Sequence, residues 1–274
     1  MSTQQNNQFR WFSLFILLFG SIIIFINQPE NVEAELVNQK LHPELPEDVN
    51  IRDFVVTPNG SYVVFIADNH SMGTQELYSF STEGGNPIKL GSLNPQLSHI
   101  TNNIDISSNE QHVVFLGKDD SASPTELFAV PIDGGEINKL NSPLSDNGDF
   151  VTEFDISPDG SQVVYTVVQG SNFVLYSVNI DDGIPQKLSS TEPGNSESVS
   201  LFSISPDSNL VIYRALQEST SRVNIFSIPI GGGKPINLSD SENGGPIGGP
   251  VNFSISSDGQ YIVYVVYDNL FLFT

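Results

Sequence analysis

The stretch that decides the fold reads Phe154-Asp-Ile-Ser-Pro-Asp-Gly160, and it continues after two residues as Val163-Val-Tyr165. It joins a short apolar strand, a tight turn and a second strand that ends in an aromatic residue. The same pattern occurs five times, and its copies begin at Phe54, Ile104, Phe154, Phe202 and Phe253. Successive copies are 50, 50, 48 and 51 residues apart. A regular spacing of that length, filled with strands, is typical of a β-propeller with one blade per repeat.

Each repeat also has a second half. In the third copy, a third strand at Leu175-Tyr-Ser-Val178 is followed by a turn at Asp181-Asp-Gly183 and by a fourth strand that ends in Lys187-Leu188. Asp-Gly and Gly-Gly between apolar runs suit tight hairpins, because glycine accepts the positive φ that these turns require. The sequence therefore predicts an all-β fold of four-stranded blades, whose strands we call A, B, C and D.

The two ends of the chain complement each other. The fifth copy contains strands A, B and C, and the residues that resemble the absent fourth strand lie at 36–41, where Gln39-Lys40-Leu41 repeats Gln186-Lys187-Leu188. Pairing of residues 36–41 with 270–273 would complete the last blade and remove two open sheet edges. We expect a β-propeller of about five blades closed by this N-terminal strand. A truncated larger propeller, with a chance N-terminal resemblance, is the alternative.

The repeat resembles the TolB-like family of bacterial propellers, built from PD40 or WD40-like repeats. The resemblance rests on Thr57-Pro-Asn-Gly60, Ser157-Pro-Asp-Gly160 and Ser205-Pro-Asp207, each followed by an apolar B strand, and it covers residues 36–274. Three copies depart from the motif, and we expect these departures to weaken individual turns. They lie at Ser108-Asn109-Glu110, Ser208 and Ser257. The resemblance implies a non-enzymatic scaffold outside the cytoplasm that binds a protein or peptide.

The first 34 residues differ from the remainder. Arg10 precedes an apolar run at residues 11–26, and Val32 and Ala34 follow it with the spacing of a signal-peptidase site. We predict a signal peptide at 1–34 and a propeller domain at 35–274. A signal-anchor that stays uncleaved through residues 11–26 is the alternative. Both place the propeller outside the cytoplasm, in the periplasm or secreted, because a basic residue favours the inner side of the membrane.

Charge and cysteine content exclude several classes of function. The chain has 32 acidic and 10 basic residues, a net charge of −22, and no cysteine. Nucleic acid and anionic membrane surfaces are poor partners for such a body, so the membrane enters only through the N-terminal segment. Disulfides, cysteine zinc sites and thiol catalysis are excluded. We expect no cofactor.

The loops indicate where a ligand binds. The A–B and C–D connections are tight turns on one side of the blades, whereas the B–C and D–A connections are long and share the other side. Binding residues concentrate on loops held by a rigid scaffold. We predict a binding surface on this long-loop side that includes Asp119, Asp120, Asp146 and Asp149. The run Asp146-Asn-Gly-Asp149 lacks the spacing of a calcium loop, and we predict no metal site.

The sequence contains no catalytic motif of the common kinds. Gly194-Asn-Ser196-Glu-Ser198 lacks the final glycine of a nucleophile elbow. Asp105 and Asp155 occupy matching positions of two A strands and could form a glycosidase pair, but shared ancestry of the repeats explains the match. Three functions therefore compete: a binding scaffold, a glycan- or cation-binding module or hydrolase in the central channel, and a stand-alone partner of a prolyl-oligopeptidase-like peptidase.

Overall fold

The computed structural model describes residues 49–69, 74–90, 99–118, 122–145, 148–190, 196–239, 249–250, 252–266 and 269–273. The predicted signal segment 1–34, the predicted closing strand 36–41, and Asp119, Asp120 and Asp146 lie outside these residues. All regular structure within the described ranges is β-strand. No helix among these residues could cross a membrane.

The strands form five antiparallel sheets, each continuous in the sequence. The first contains β1 (Val49–Val56), β2 (Tyr62–Asn69), β3 (Thr74–Ser81) and β4 (Ile88–Lys89). The second contains β5 (His99–Ile106), β6 (His112–Lys118), β7 (Glu126–Pro131) and β8 (Asn138–Lys139). The third contains β9 (Phe150–Ile156), β10 (Gln162–Gln169), β11 (Asn172–Asn179) and β12 (Gln186–Lys187).

The fourth sheet contains β13 (Glu197–Ile204), β14 (Leu210–Gln217), β15 (Arg222–Pro229) and β16 (Ile236–Asn237). The fifth contains β17 (Asn252–Ile255), β18 (Ile262–Val266) and β19 (Asn269–Phe273). The predicted all-β architecture of four-stranded blades is thus confirmed for four sheets. The number of blades and the closure of the ring stay predictions, because residues 36–41 are outside the described ranges.

The second strands of the second, third and fourth sheets each lie between two apolar layers. In β10, every residue from Val163 to Val167 is buried, although successive side chains point to opposite faces of the sheet. Both faces are covered because consecutive sheets pack against each other. Val164 and Leu175 of the third sheet, for example, share an apolar cluster with Val211 and Tyr213 of the fourth. Equivalent clusters join the other consecutive pairs of sheets.

The recurring aromatic residue of the second strand packs within these clusters, as the repeat predicts. It is 0% exposed at Phe115 and at Tyr213, and it stacks on an aromatic of the third strand in the same sheet. The ring centroids are 5.2–5.6 Å apart in all five sheets. The two rings of a pair stand directly opposite each other in the pairing of the second and third strands, and such cross-strand pairs stabilise a sheet.

The A–B turn is organised by one polar side chain. Asp159 Oδ1 accepts hydrogen bonds from Ser157 Oγ at 2.6 Å and from the backbone N of Ser161 at 3.0 Å. Gly160 then has a φ of +75°, which glycine adopts without strain. In the other four turns, the hydroxyl of the first turn residue likewise donates a hydrogen bond to the side-chain oxygen of the third, which is Asn59, Asn109, Asp207 or Asp258.

Candidate functional site

The first strands of neighbouring sheets approach each other, β1 beside β5 and β5 beside β9. We call the exposed side of the five first strands, β1, β5, β9, β13 and β17, the inner surface. It is acidic on the first three sheets and neutral on the last two. The acidic part carries Asp53, Asp105, Glu153 and Asp155, and the neutral part carries Ser203, Asn252 and Ser254.

Two carboxylates of the inner surface influence each other. Partial burial raises the pKa of Asp105, whose Oδ1 accepts the backbone N of Ile106 at 2.8 Å. Partial burial also raises the pKa of Asp155, and the negative charges of Asp105 and Glu153 raise it further. Like charges held close together favour a shared proton or a bound cation. Among the described residues, however, no three His, Asp or Glu side chains are grouped so as to hold a metal ion.

A cleft of about 340 Å³ opens between β13 and β17, beside the neutral part of the inner surface. Polar atoms supply more of its exposed lining than apolar atoms do, and they include the hydroxyls of Ser203 and Ser254 and the amide of Asn252. The cleft is lined by Leu201, Phe202, Ser203, Ile204, Pro206, Asn252, Phe253, Ser254 and Ile255.

The structure describes one residue of the predicted aspartate quartet. Asp149 lies at the end of the D–A loop that leads into β9, and it is 7% exposed. Its Oδ2 accepts a hydrogen bond from Ser145 Oγ at 2.7 Å. Asp149 therefore supports its own loop from within. The predicted role of the quartet in binding stays a prediction, with Asp119, Asp120 and Asp146 outside the described ranges.

A second buried carboxylate has an equivalent place in the next D–A loop. Glu197, the first residue of β13, is 3% exposed. It accepts hydrogen bonds from the hydroxyl of Tyr213 at 2.9 Å and from the backbone N of Ser190 at 3.2 Å. Burial raises the pKa of Glu197, and these hydrogen bonds oppose the rise. Glu197 faces inward because the buried hydroxyl of Tyr213 needs an acceptor.

The same loops are anchored at their other end. The residue after the fourth-strand leucine accepts a hydrogen bond from the third strand in three sheets: Asn141 from the backbone N of Leu127 at 2.7 Å, Ser189 from Leu175 at 2.9 Å, and Ser239 from Ile225 at 2.9 Å. In two D–A connections, the described ends at Asn141 and Asp149 and at Ser189 and Glu197 are therefore held by buried polar contacts. Sequence reasoning did not identify these anchors, because Asn and Ser are common throughout the chain.

On the turn side, residues that depart from the repeat motif bond to neighbouring sheets. Glu110 stands where Gly160 stands in the third sheet, and its φ is +58°. Its carboxylate accepts hydrogen bonds from the backbone N of Asn59 at 3.0 Å and from Ser61 Oγ at 3.2 Å. Ser208, at the same position of the fourth sheet, accepts the backbone N of Asp159 at 3.0 Å. These hydrogen bonds compensate for the strained backbone, so the departures do more than weaken the turns.

No protein-family model matches the sequence, and no curated protein matches it. Solved structures do match. A protein described as TolB from Agrobacterium tumefaciens is 20% identical over 80% of this chain and 70% of its own, with a TM-score of 0.47. TolB from Acinetobacter baumannii is 15% identical over 82% of this chain and 52% of its own, with a TM-score of 0.42. This chain thus spans about half the length of the second TolB protein.

Higher structural similarity is found outside the TolB proteins. An oligogalacturonate lyase in complex with manganese is 13% identical over 87% of this chain and 68% of its own, with a TM-score of 0.54. A puromycin hydrolase, a dipeptidyl aminopeptidase IV from Bacteroides ovatus and the tricorn protease also occur among the matches. At these identities the likeness concerns the fold alone. The TolB-like β-propeller predicted from the repeats is confirmed as a fold.

Proposed function

We propose that this chain is a non-enzymatic β-propeller located outside the cytoplasm, and that it binds a protein or peptide through its B–C and D–A loops. The anchoring of the D–A loops is the observation that carries the proposal. Asn141 and Asp149 hold one loop, and Ser189 and Glu197 hold the next. A loop whose two ends are already fixed loses less conformational entropy when a partner binds, so the affinity is higher for the same contacts.

Charge supports a basic or neutral partner. Without residues 1–34 the chain keeps 9 basic and 30 acidic residues. A field of that sign attracts basic surfaces, and the attraction between exposed charges weakens as salt screens it. The propeller fold of the matched structures is compatible with a scaffold of this kind, and the location outside the cytoplasm is supported by the signal-like segment at 1–34.

The test compares two triple variants of equal charge. One replaces Asp119, Asp120 and Asp146 with Asn, and the control replaces Glu83 with Gln, Asp133 with Asn and Glu136 with Gln on the opposite, turn side. Asp149 stays unchanged because it supports its loop. Quantitative capture from an envelope extract, at low and high salt, should fall for the loop variant alone. Equal capture by the two variants would contradict the proposed surface.

A second candidate function uses the inner surface. The mutual influence of Asp105 and Asp155 and the cleft beside β17 favour a glycan- or cation-binding role, or hydrolysis, in the channel. The match to an oligogalacturonate lyase in complex with manganese is compatible with this candidate. Purified protein that binds Mn²⁺ by calorimetry, or cleaves a glycan or peptide panel, with loss in Asp105→Asn or Asp155→Asn, would establish it in place of the scaffold.

A further inference from the structure

The third strand of the fifth sheet, β19, exposes a leucine that is buried in the other sheets. Leu270 is 73% exposed. The residue at the same position is 0% exposed in each of the other four sheets, at Leu77, Leu127, Leu175 and Ile225. An exposed apolar edge strand is a site at which another strand pairs. The difference therefore marks a surface that lacks its cover.

In the other four sheets this residue packs against the next sheet, and the outer edge beside it is occupied by a short fourth strand followed by a leucine. The backbone N of this leucine donates to the carbonyl of the third-strand residue, as Leu90 does to Leu77 at 2.8 Å. Leu140, Leu188 and Leu238 make the equivalent bond at 2.8–2.9 Å. The preceding residue stands opposite the aromatic of the third strand, as Lys89 stands opposite Tyr78. Each fourth strand thus fills the outer edge of its sheet in one fixed register.

Residues 36–41 match the fourth strands of the other sheets in sequence and in position along the chain. Gln39-Lys40-Leu41 is identical to Gln186-Lys187-Leu188, which ends the fourth strand of the third sheet. Leu41 precedes the start of β1 by eight residues, and Leu90 and Leu188 each precede the next first strand by nine. A connection of the usual length therefore joins this segment to β1.

We propose that residues 36–41 pair with β19 as the fourth strand of the fifth sheet. Lys40 stands opposite Phe271, as Lys89 stands opposite Tyr78, and the backbone N of Leu41 donates to the carbonyl of Leu270. The occupant of the exposed edge is this chain itself. The inference concerns the architecture and does not depend on the proposed function.

The exposed face of the fifth sheet, which carries Leu270 and Leu272, has features that fit the first sheet as its neighbour. Leu272 is 60% exposed, and it stands where the other sheets have a small buried residue: Ser79, Ala129, Ser177 or Ser227. Ser177 Oγ contacts the carbonyl of Ile230 in the next sheet at 2.5 Å. The first sheet has Thr82 where its successors have Ile132, Ile180 and Ile230. A larger residue on the fifth sheet thus matches a smaller one on the first, which conserves packed volume.

Engineered cysteine pairs test both the partner and the register, because the chain has no cysteine of its own. Residues directly opposite in antiparallel strands have Cβ atoms close enough for a disulfide. The test pair in the full-length chain is Lys40→Cys with Phe271→Cys. Tyr78→Cys with Lys89→Cys is the positive control, since the structure shows that pair. Lys40→Cys with Leu272→Cys is the register control, because residues 271 and 272 point to opposite faces.

The expected result is a disulfide within one chain for the test pair and the positive control, with none for the register control. A disulfide-linked dimer would show that a second copy supplies the strand and would overturn the inference. A test pair that stays reduced while Tyr78→Cys and Lys89→Cys oxidise would also overturn it.

A stability measurement supplies an independent readout. Leu270→Ala should lower the urea midpoint of unfolding as Leu175→Ala does, because in the closed ring Leu270 packs against the next sheet and the leucine that follows the fourth strand, as Leu175 does. An unchanged midpoint for Leu270→Ala, beside a lowered one for Leu175→Ala, would mean that nothing covers β19.

Discussion

A single backbone position explains much of the turn side of this molecule. The fourth residue of the A–B turn has φ between +58° and +76° in all five sheets, whether it is Gly60, Glu110, Gly160, Ser208 or Gly259. Side chains adopt this conformation at a cost of about 1–3 kcal/mol. The two non-glycine residues repay that cost with hydrogen bonds to a neighbouring sheet, Glu110 to the first and Ser208 to the third.

Alanine at two of these glycines should separate backbone strain from steric contact. A Cβ on Gly160 would lie 2.9 Å from Asn109 Cγ and 3.0 Å from its backbone N, whereas a Cβ on Gly60 would meet nothing within 4 Å. We expect Gly60→Ala to lower the free energy of unfolding by about 1 kcal/mol. Gly160→Ala should lower it by roughly 2–4 kcal/mol, because the second and third sheets must also move apart. Urea unfolding of both variants measures the change in the free energy of unfolding. Equal decreases would show that the structure relieves the contact between the new Cβ at residue 160 and Asn109 without losing stability.

Glu110 offers the complementary experiment. Glu110→Ala keeps the strained backbone and loses the hydrogen bonds to Asn59 and Ser61, which should cost about 1–3 kcal/mol. Glu110→Gly loses the same hydrogen bonds but relieves the strain, so it should be more stable than Glu110→Ala by about 1 kcal/mol. The unfolding midpoints of the native chain and the two variants separate the contribution of the hydrogen bonds from that of the backbone strain. An alanine variant as stable as the native chain would remove the inter-sheet hydrogen bonds from the account.

At the scale of elements, the D–A loops are held by buried polar groups. The loop before β13 is fixed by Ser189 at one end and Glu197 at the other. Burial raises the pKa of Glu197 in the folded protein above its usual value. As the pH rises, the unfolded chain therefore releases this proton first, and the stability of the fold declines up to the folded pKa.

Glu197→Gln should remove this pH dependence. The amide stays neutral, and its oxygen accepts from Tyr213 and Ser190 as the carboxylate does. The stability of the variant relative to the native chain should rise as the pH increases from the ordinary pKa of a glutamate to the raised one. Urea unfolding across that range measures the difference. Glu218→Gln, at an exposed carboxylate, is the control, and parallel profiles for native chain and Glu197→Gln would refute the role of Glu197.

At the scale of the whole molecule, neighbouring sheets stabilise each other through shared apolar clusters. A sheet of this kind cannot bury both faces alone, so the repeats fold as a set.

The apolar segment at 11–26 lies outside the repeat pattern, and we predict that it is a leader. The mature chain should begin near Glu35 and be found outside the cytoplasm. N-terminal sequencing of protein from the native host checks this. An intact Met1 in the membrane fraction would favour the anchor, and a cytoplasmic protein would contradict both versions.

The repeat by itself determined the strands, the tight turns and the buried aromatics such as Tyr165, because these depend on local patterns that recur about every 50 residues. Local pattern also predicted a glycine at positive φ in the turn between the third and fourth strands, where Gly183 has a φ of +61°. Tertiary structure alone decided that Asp149 and Glu197 turn inward and that Glu110 bonds the first sheet. The sequence alone does not distinguish a loop carboxylate that faces solvent from one that faces a buried hydroxyl. Its direction depends on donors such as Tyr213, 16 residues away, and on neighbouring sheets about 50 residues away.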